Sequence, residues 1–150
     1  MAKIYISSVI EASIETVWEY IRDFNGLPKW FPGVTDSHME ADKRSDQAGC
    51  IRNFGLEGGL RMREQLLAFS DHGHVCTYRM LEGPLPVRNY MGTVRLLPVT
   101  DGDRTFAEYV VEFDCASEQE NELTTSLSRI YQGAFEHLMQ HLPATAKAAG

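Results

Sequence analysis

The residue with the clearest chemical potential is Glu64, a carboxylate in an otherwise apolar row. Alternate residues of a strand face opposite sides of a sheet, so residues 60–68 place Leu60, Met62, Glu64, Leu66 and Ala68 on one face. That row is expected to face the core, where an unpaired charge is costly, so Glu64 needs a charged partner, water or a ligand. If burial raises its pKa toward neutrality, Glu64 can act as a general base.

The partner that the sequence suggests for Glu64 is Arg52. A Glu57-Gly58-Gly59 segment separates two strand-like stretches, which is a hairpin signal. With Gly58 at the centre of the turn, Arg52 and Glu64 are each six residues away and lie opposite each other. A bulge or another turn type would change this register.

Three tyrosines extend the same inward face in later strands. Tyr78, Tyr90 and Tyr109 fall in the more apolar rows of their strands, so a mostly apolar surface carries a few convergent polar groups, as small-molecule sites do. With Glu64 as base, their hydroxyls or Arg52 can stabilise an enolate in an aldol-type cyclisation. Two other interpretations remain open. The same residues can contact a ligand without catalysis, or the pair can be purely structural with the tyrosines as ordinary core.

A long helix near the end of the chain has to cover this face. Apolar residues recur at steps of three and four from about Glu118 to Leu142, the pattern of a helix with one buried face. Pro143 and the following Ala/Lys/Gly residues are expected to end the helix and to form a flexible tail over residues 144–150. The buried stripe comprises Leu123, Leu127, Ile130, Tyr131, Ala134, Phe135, Leu138 and Leu142.

The rest of the chain is predicted to be mainly strands. Ser13 can cap a first short helix that buries Ile14, Val17, Trp18 and Ile21, and a second short turn begins at Pro28. Consecutive strands with short turns predict an antiparallel sheet packed on the long helix, an α+β fold. The predicted strands cover residues 3–10, 34–43, 49–56, 60–69, 74–82, 90–97 and 105–115.

Composition narrows the possible functions. The 150 residues have a net charge of −7 without a basic cluster, which disfavours nucleic-acid binding. No apolar stretch approaches the ~18 residues of a membrane span. The N-terminus lacks the features of a signal peptide, so the three cysteines are expected to be reduced thiols in a cytoplasmic protein. His137 and His141 have a zinc-compatible spacing without a third ligand, so no metal is expected. The sequence has no phosphate loop or dinucleotide fingerprint, so no cofactor is expected.

The sequence resembles the START-like (SRPBCC) superfamily. The element order carries the resemblance, together with the opening EASIETVWEYIRDFNGLPKWFPGV and the block REQLLAFSDHGHVCTYRMLEGPLPVRNYMGTVRLLP. This helix-grip group includes birch-pollen-type allergens, polyketide cyclase/dehydrase-like proteins, lipid-transfer domains and plant abscisic acid receptors. The resemblance implies a seven-stranded antiparallel sheet curved around the long C-terminal helix, two short helices after the first strand, and a cavity between sheet and helix.

Within that group, the hormone receptors offer the most specific match. Their pocket carries a glutamate, an aromatic residue and a tyrosine at positions similar to Glu64, Tyr78 and Tyr90 here, the last also following an asparagine, Asn89. Two features differ. The gate-loop motif is absent around Gly58, and no cation stands at residues 33–35, where the receptors have an acid-binding lysine. A carboxylate hormone is therefore a poor ligand, and hormone reception does not carry over.

The sequence thus predicts one ligand-binding domain over residues 1–143. Its expected ligand is a hydrophobic small molecule of lipid, polyketide or aromatic type, in a cavity of roughly 300–1,000 Å³. The alternative is a cofactor-independent polyketide cyclase or dehydratase with Glu64 as general base. A third and weaker alternative is a protein-interaction module whose loops respond to ligand, although the sequence does not identify a protein partner. Residues 57–60 and 83–88 are expected to gate the cavity. The candidate ligand-binding residues are Arg52, Phe54, Met62, Glu64, Tyr78, Met80, Tyr90, Tyr109, Tyr131 and Phe135.

Overall fold

A seven-stranded antiparallel sheet and one long helix build the structure. The computed structural model describes residues 1–142, so Pro143 and the expected tail lie outside the described residues. The strands lie in the order β1-β7-β6-β5-β4-β3-β2. Their bounds are Ala2–Ile10 (β1), Val34–Met39 (β2), Ile51–Leu56 (β3), Arg61–Ser70 (β4), Val75–Glu82 (β5), Arg88–Val99 (β6) and Arg104–Asp114 (β7), with helices at Ile14–Ile21 (α1), Phe24–Lys29 (3₁₀) and Glu120–His141 (α2).

The two short helices after β1 and the long final helix confirm the predicted element order. Ser13 caps α1 by accepting a hydrogen bond from the Thr16 backbone N–H at 3.3 Å. Helix α2 lies over the inner face of the sheet, where Tyr131 stacks on Tyr109 with ring centroids 4.5 Å apart. At the outer edge of the helix, the Gln132 amide donates a 2.7 Å hydrogen bond to the Ser8 hydroxyl of β1.

Several predicted boundaries were wrong. β2 ends at Met39, and a 3₁₀ turn at Glu40–Asp42 replaces the continuation to Lys43. The long helix begins at Glu120, after a separate 3₁₀ turn at Ser117–Gln119. The apolar periodicity places Ile130 in the buried stripe of this helix, but Ile130 lies at the edge of the stripe and is 46% exposed.

The inward row of β4 was also predicted too long. Met62, Glu64 and Leu66 are buried, whereas Leu60 precedes the strand and is 53% exposed. Ala68 is exposed as well, since the pairing of β4 with β5 shifts between Leu66 and Ala68. Such a bulge reverses the side to which the following residues point.

Candidate functional site

The hairpin of β3 and β4 places Arg52 opposite Glu64, which confirms the predicted register. The turn is symmetrical about Gly58, because the Leu56 N–H donates to the Leu60 carbonyl at 2.7 Å. Gly58 and Gly59 have φ values of +91° and +84°, a region that glycine adopts without strain. The tight turn therefore fixes which side chains of the two strands face each other.

Arg52 and Glu64 form a buried ion pair on the inner face, with side chains only 8% and 5% exposed. Arg52 donates to the Glu64 Oε1 atom from Nε at 2.9 Å and from Nη2 at 2.6 Å. Its Nη1 atom donates to the Phe24 carbonyl at 3.1 Å. The guanidinium also lies 3.9 Å from the centroid of the Phe24 ring, a cation–π contact. The arginine is thus held from three sides.

The second carboxylate oxygen, Glu64 Oε2, accepts no hydrogen bond from the protein in residues 1–142. No fully buried side-chain oxygen of the described residues lacks a partner, so Oε2 keeps access to the adjoining cavity. Burial raises the pKa of Glu64 above its ordinary value, and the charge of Arg52 opposes that shift. Burial alone would lower the pKa of Arg52, but the Glu64 carboxylate reverses this, so Arg52 stays protonated.

The tyrosine cluster continues the polar wall. The hydroxyls of Tyr78 and Tyr109 contact each other directly, although their strands are separated by β6. Gly92 of β6 makes this possible, because a Cβ atom at that position would lie 2.7 Å from the Tyr78 ring. Burial raises the pKa of Tyr78, Tyr109 and Tyr131 above that of free tyrosine, so all three remain hydrogen-bond donors at neutral pH.

A cavity of about 220 Å³ lies between the sheet and α2. It is smaller than the predicted lower bound of roughly 300 Å³, because large aromatic side chains occupy much of the space. Its lining is mostly apolar, and Arg52 and Glu64 provide the charged groups. The lining residues are Leu27, Phe31, Pro32, Val34, Arg52, Phe54, Leu56, Met62, Glu64, Tyr78, Pro84, Leu85, Tyr109, Leu127, Ile130 and Tyr131.

The cavity brings together seven of the ten predicted site residues: Arg52, Phe54, Met62, Glu64, Tyr78, Tyr109 and Tyr131. Three predicted residues do not line it. Met80 packs against the β5–β6 loop at Gly83. A Cβ atom added to Gly83 would lie 3.1 Å from the Met80 sulfur. Tyr90 is buried behind Tyr78 and stacks on Phe113. Phe135 is fully buried, and its ring packs against the ring of Tyr109.

The lining residues that sequence reasoning missed come mainly from outside the sheet. Leu27 lies in the 3₁₀ helix, Phe31 follows it, and Leu127 and Ile130 belong to α2. The stripe of α2 contained the last two, but its pattern did not indicate which turn of the helix borders a cavity. Of the two predicted gates, the β5–β6 loop contributes Pro84 and Leu85 to the lining, whereas residues 57–60 contribute none.

Residues 1–142 contain no group of three His, Cys, Asp or Glu side chains arranged to hold a metal ion. His137 donates from Nδ1 to the Trp30 carbonyl at 2.6 Å, and His141 donates from Nδ1 to the His137 carbonyl at 2.9 Å, so backbone groups engage both rings. No helix in the described part of the chain is long and apolar enough to span a membrane.

A seven-stranded antiparallel sheet that holds one long helix across a cavity defines the helix-grip class of the START-like (SRPBCC) superfamily. A family described as "Polyketide cyclase / dehydrase and lipid transport" matches residues 1–143, and the chain belongs to this family.

Solved structures agree with this assignment. The protein XoxI from Bacillus cereus is 27% identical, with a TM-score of 0.85 over 95% of this chain and 96% of that one. A protein from Nitrosospira multiformis is 26% identical, with a TM-score of 0.81 over 97% of this chain and 99% of that one. Ginseng major latex-like protein 151 from Panax ginseng is 14% identical, with a TM-score of 0.77 over 95% and 98%, a likeness of fold alone.

Proposed function

We propose that the protein binds a hydrophobic small molecule, of lipid, polyketide or aromatic type, in the cavity between the sheet and α2. The observation that carries this proposal is an apolar cavity with one polar wall, built from Arg52, Glu64 and the tyrosine hydroxyls. Apolar cavities with a few placed polar groups are the usual form of ligand sites. The family description, which combines polyketide chemistry with lipid transport, supports the same class of ligand.

The volume narrows the size of ligand that fits without rearrangement. An apolar cavity of roughly 150 Å³ suffices to bind benzene, and the cavity here measures about 220 Å³. One aromatic ring with a small substituent therefore fits the structure as it stands. A longer acyl chain or several fused rings require movement of the β5–β6 loop, where Pro84 and Leu85 line the cavity.

A plug at the cavity mouth tests the proposal. Ile130 lines the cavity and is 46% exposed, so Ile130→Trp obstructs the mouth without burying a new group in the core. Thr125→Trp is the matched control, because Thr125 is exposed on the same helix and does not line the cavity. Toluene binding is followed by NMR chemical shifts, and native mass spectrometry identifies co-purifying molecules.

Wild type and Thr125→Trp should bind toluene with shifts at the lining residues, and Ile130→Trp should bind at least about tenfold more weakly, a difference of about 1.4 kcal/mol. Equal binding by all three proteins would place the toluene elsewhere and refute the proposal.

The second candidate function is catalysis of proton transfer on the bound molecule. The free Oε2 atom of Glu64 and the raised pKa of this carboxyl favour it, since a general base needs an available lone pair and a raised pKa makes the carboxylate a stronger base. The Tyr78 and Tyr109 hydroxyls can stabilise the enolate that forms when a proton is removed next to a carbonyl. A cyclisation or dehydration would use this same step.

Acetophenone in D₂O separates binding from catalysis. A catalytic Glu64 should accelerate exchange of the methyl protons for deuterium, and Glu64→Gln should abolish the acceleration. Exchange at the buffer rate in wild type, with acetophenone shown to bind, would leave binding as the function.

A further inference from the structure

The polar wall of the cavity has a charge pattern that restricts the ligand further, and the restriction rests on the proposed function. Arg52 and Glu64 are the charged residues that line the cavity in the described part of the chain. Their charges cancel, and both are almost fully buried. A ligand therefore meets a neutral wall made of two full charges held side by side.

Each member of the pair retains unused hydrogen-bonding capacity. Arginine has five N–H groups, and the hydrogen bonds to Glu64 and to the Phe24 carbonyl involve Nε, Nη2 and Nη1 once each. One N–H on each Nη atom remains without an acceptor among residues 1–142. Glu64 Oε2, on the same carboxyl group as the bonded Oε1, remains without a donor among residues 1–142. The wall thus offers donors and an acceptor next to each other.

We infer that the cavity selects a neutral aromatic compound that presents a hydrogen-bond acceptor and a donor side by side, as a carboxamide does. The ligand carbonyl accepts from an Arg52 Nη–H, and the ligand N–H donates to Glu64 Oε2. Hydrogen bonds to charged partners are stronger than neutral ones, and they gain further where water is excluded.

A carboxylate ligand is excluded by the same geometry. Its negative charge would approach Arg52 next to the Glu64 carboxylate, because the two side chains are only 2.6 Å apart, and like charges that close repel strongly in a medium of low dielectric constant. Among residues 1–142 no other cation lines the cavity, and Lys29 of the nearby 3₁₀ helix is 70% exposed and lies 4.0 Å from Asp23. The discrimination therefore depends on Glu64 and not on the net charge of the protein.

The test uses toluene, benzamide and benzoate in NMR titrations at pH 7.5, with three proteins. Wild type should bind benzamide at least about tenfold more tightly than benzoate, because benzoate lacks the donor and carries the repelled charge. Glu64→Gln leaves Arg52 as an uncompensated cation. The ratio of the affinity for benzamide to the affinity for benzoate should therefore fall at least about tenfold or invert in favour of benzoate. Glu40→Gln is the control, because it removes the same charge on the outer face, where Glu40 pairs with Arg63. Its ratio should equal that of wild type.

The outcomes separate the inference from the proposed function. Toluene binding with equal affinities of wild type for benzamide and benzoate would overturn the inference and leave the proposed function intact. An unchanged ratio in Glu64→Gln, or a change of the same size in Glu40→Gln, would overturn it as well. Absence of binding by all three compounds would refute the proposed function, and the inference with it. If Glu64→Gln fails to fold, the wild-type comparison of benzamide with benzoate still decides.

Discussion

Two arginine–glutamate pairs lie on opposite faces of the sheet, and each includes one residue of β4. On the inner face, Arg52 and Glu64 approach to 2.6 Å with side chains 8% and 5% exposed. On the outer face, Arg63, the neighbour of Glu64 in β4, approaches Glu40 to 2.7 Å with side chains 30% and 26% exposed. The two contacts are similarly short, but the pKa values of the two carboxyl groups shift in opposite directions.

The direction of each pKa shift shows the difference. The hydrogen bonds from Arg63 lower the pKa of Glu40 to about 2, because this carboxylate remains partly hydrated and gains a strong donor. Burial raises the pKa of Glu64 despite a comparable arginine. A short ion pair thus stabilises an ionised carboxylate at the surface, whereas in the interior it only offsets the loss of water. A hydrogen-bond donor on a ligand can offset the part of the desolvation cost of Glu64 that Arg52 does not offset.

The largest expected effect comes from removal of each arginine. Arg52→Met should lower the free energy of unfolding by ~3–5 kcal/mol, because Glu64 is left buried without its partner. Arg63→Met should cost about 1 kcal/mol or less, as is typical of partly exposed pairs. Urea unfolding at pH 7 measures both. Equal losses in the free energy of unfolding would mean that the buried pair and the partly exposed pair do not differ in energy as described.

Gly92→Ala should have the next largest effect. A Cβ atom there would lie 2.7 Å from the Tyr78 ring, so the ring must move toward the cavity and lose its contact with Tyr109. Such overpacking costs ~1–3 kcal/mol, and toluene binding should weaken as the cavity shrinks. Gly133→Ala is the control, since a Cβ atom at Gly133 in α2 meets no atom within 4 Å. Loss of stability in the control but not in Gly92→Ala would contradict this account of Tyr78.

Glu64→Gln should have a smaller effect on stability than Arg52→Met. The glutamine carbonyl can still accept from Arg52, and the arginine keeps the Phe24 carbonyl and ring as partners. The cost should be about 1 kcal/mol, while affinity for benzamide falls. Thermal melting and titration are measured on the same sample. A loss of ~3–5 kcal/mol with unchanged binding would identify the pair as purely structural.

The pH dependence of stability should have opposite signs for the two glutamates. The folded state keeps Glu40 ionised to about pH 2, whereas unfolded glutamate titrates near ~4.3. The stability that Glu40 contributes is therefore complete above ~4.3 and lost as the pH falls toward its folded pKa. Glu64 has a raised folded pKa, so its contribution grows as the pH falls from that value toward ~4.3.

Urea unfolding between pH 7 and pH 3 tests this difference with Glu40→Gln and Glu64→Gln. The stability of wild type minus that of Glu40→Gln should decrease with falling pH. The corresponding difference for Glu64→Gln should increase. If both stability differences changed in the same direction with pH, burial would not raise the pKa of Glu64 as described.

The sequence predicted the fold and the ion pair because local rules determine both. The order of strands and helices followed from apolar periodicity, and the pairing of Arg52 with Glu64 followed from a tight turn centred on Gly58. Neither required knowledge of tertiary packing. The bulge near Leu67, which turns Ala68 outward, had no comparable signal in the sequence.

The cavity itself could be predicted only in part, since its bounds depend on how α2 lies across the sheet. Tyr90 and Phe135 point inward as the patterns indicated, yet they fill the core beside the cavity and not the cavity wall. The contact of Tyr78 with Tyr109 spans two strands and needs Gly92 between them. A glycine within an inward-facing apolar row was the available signal for that contact.

A crystal structure of the protein under xenon pressure tests the central claim most directly. Apolar cavities of about this size bind xenon, and the lining here is mostly apolar, so density is expected between Met62, Tyr109 and Leu127. Ile130→Trp crystals should show less xenon at the same position. Side chains that fill this space completely, with no xenon between sheet and helix, would contradict the account.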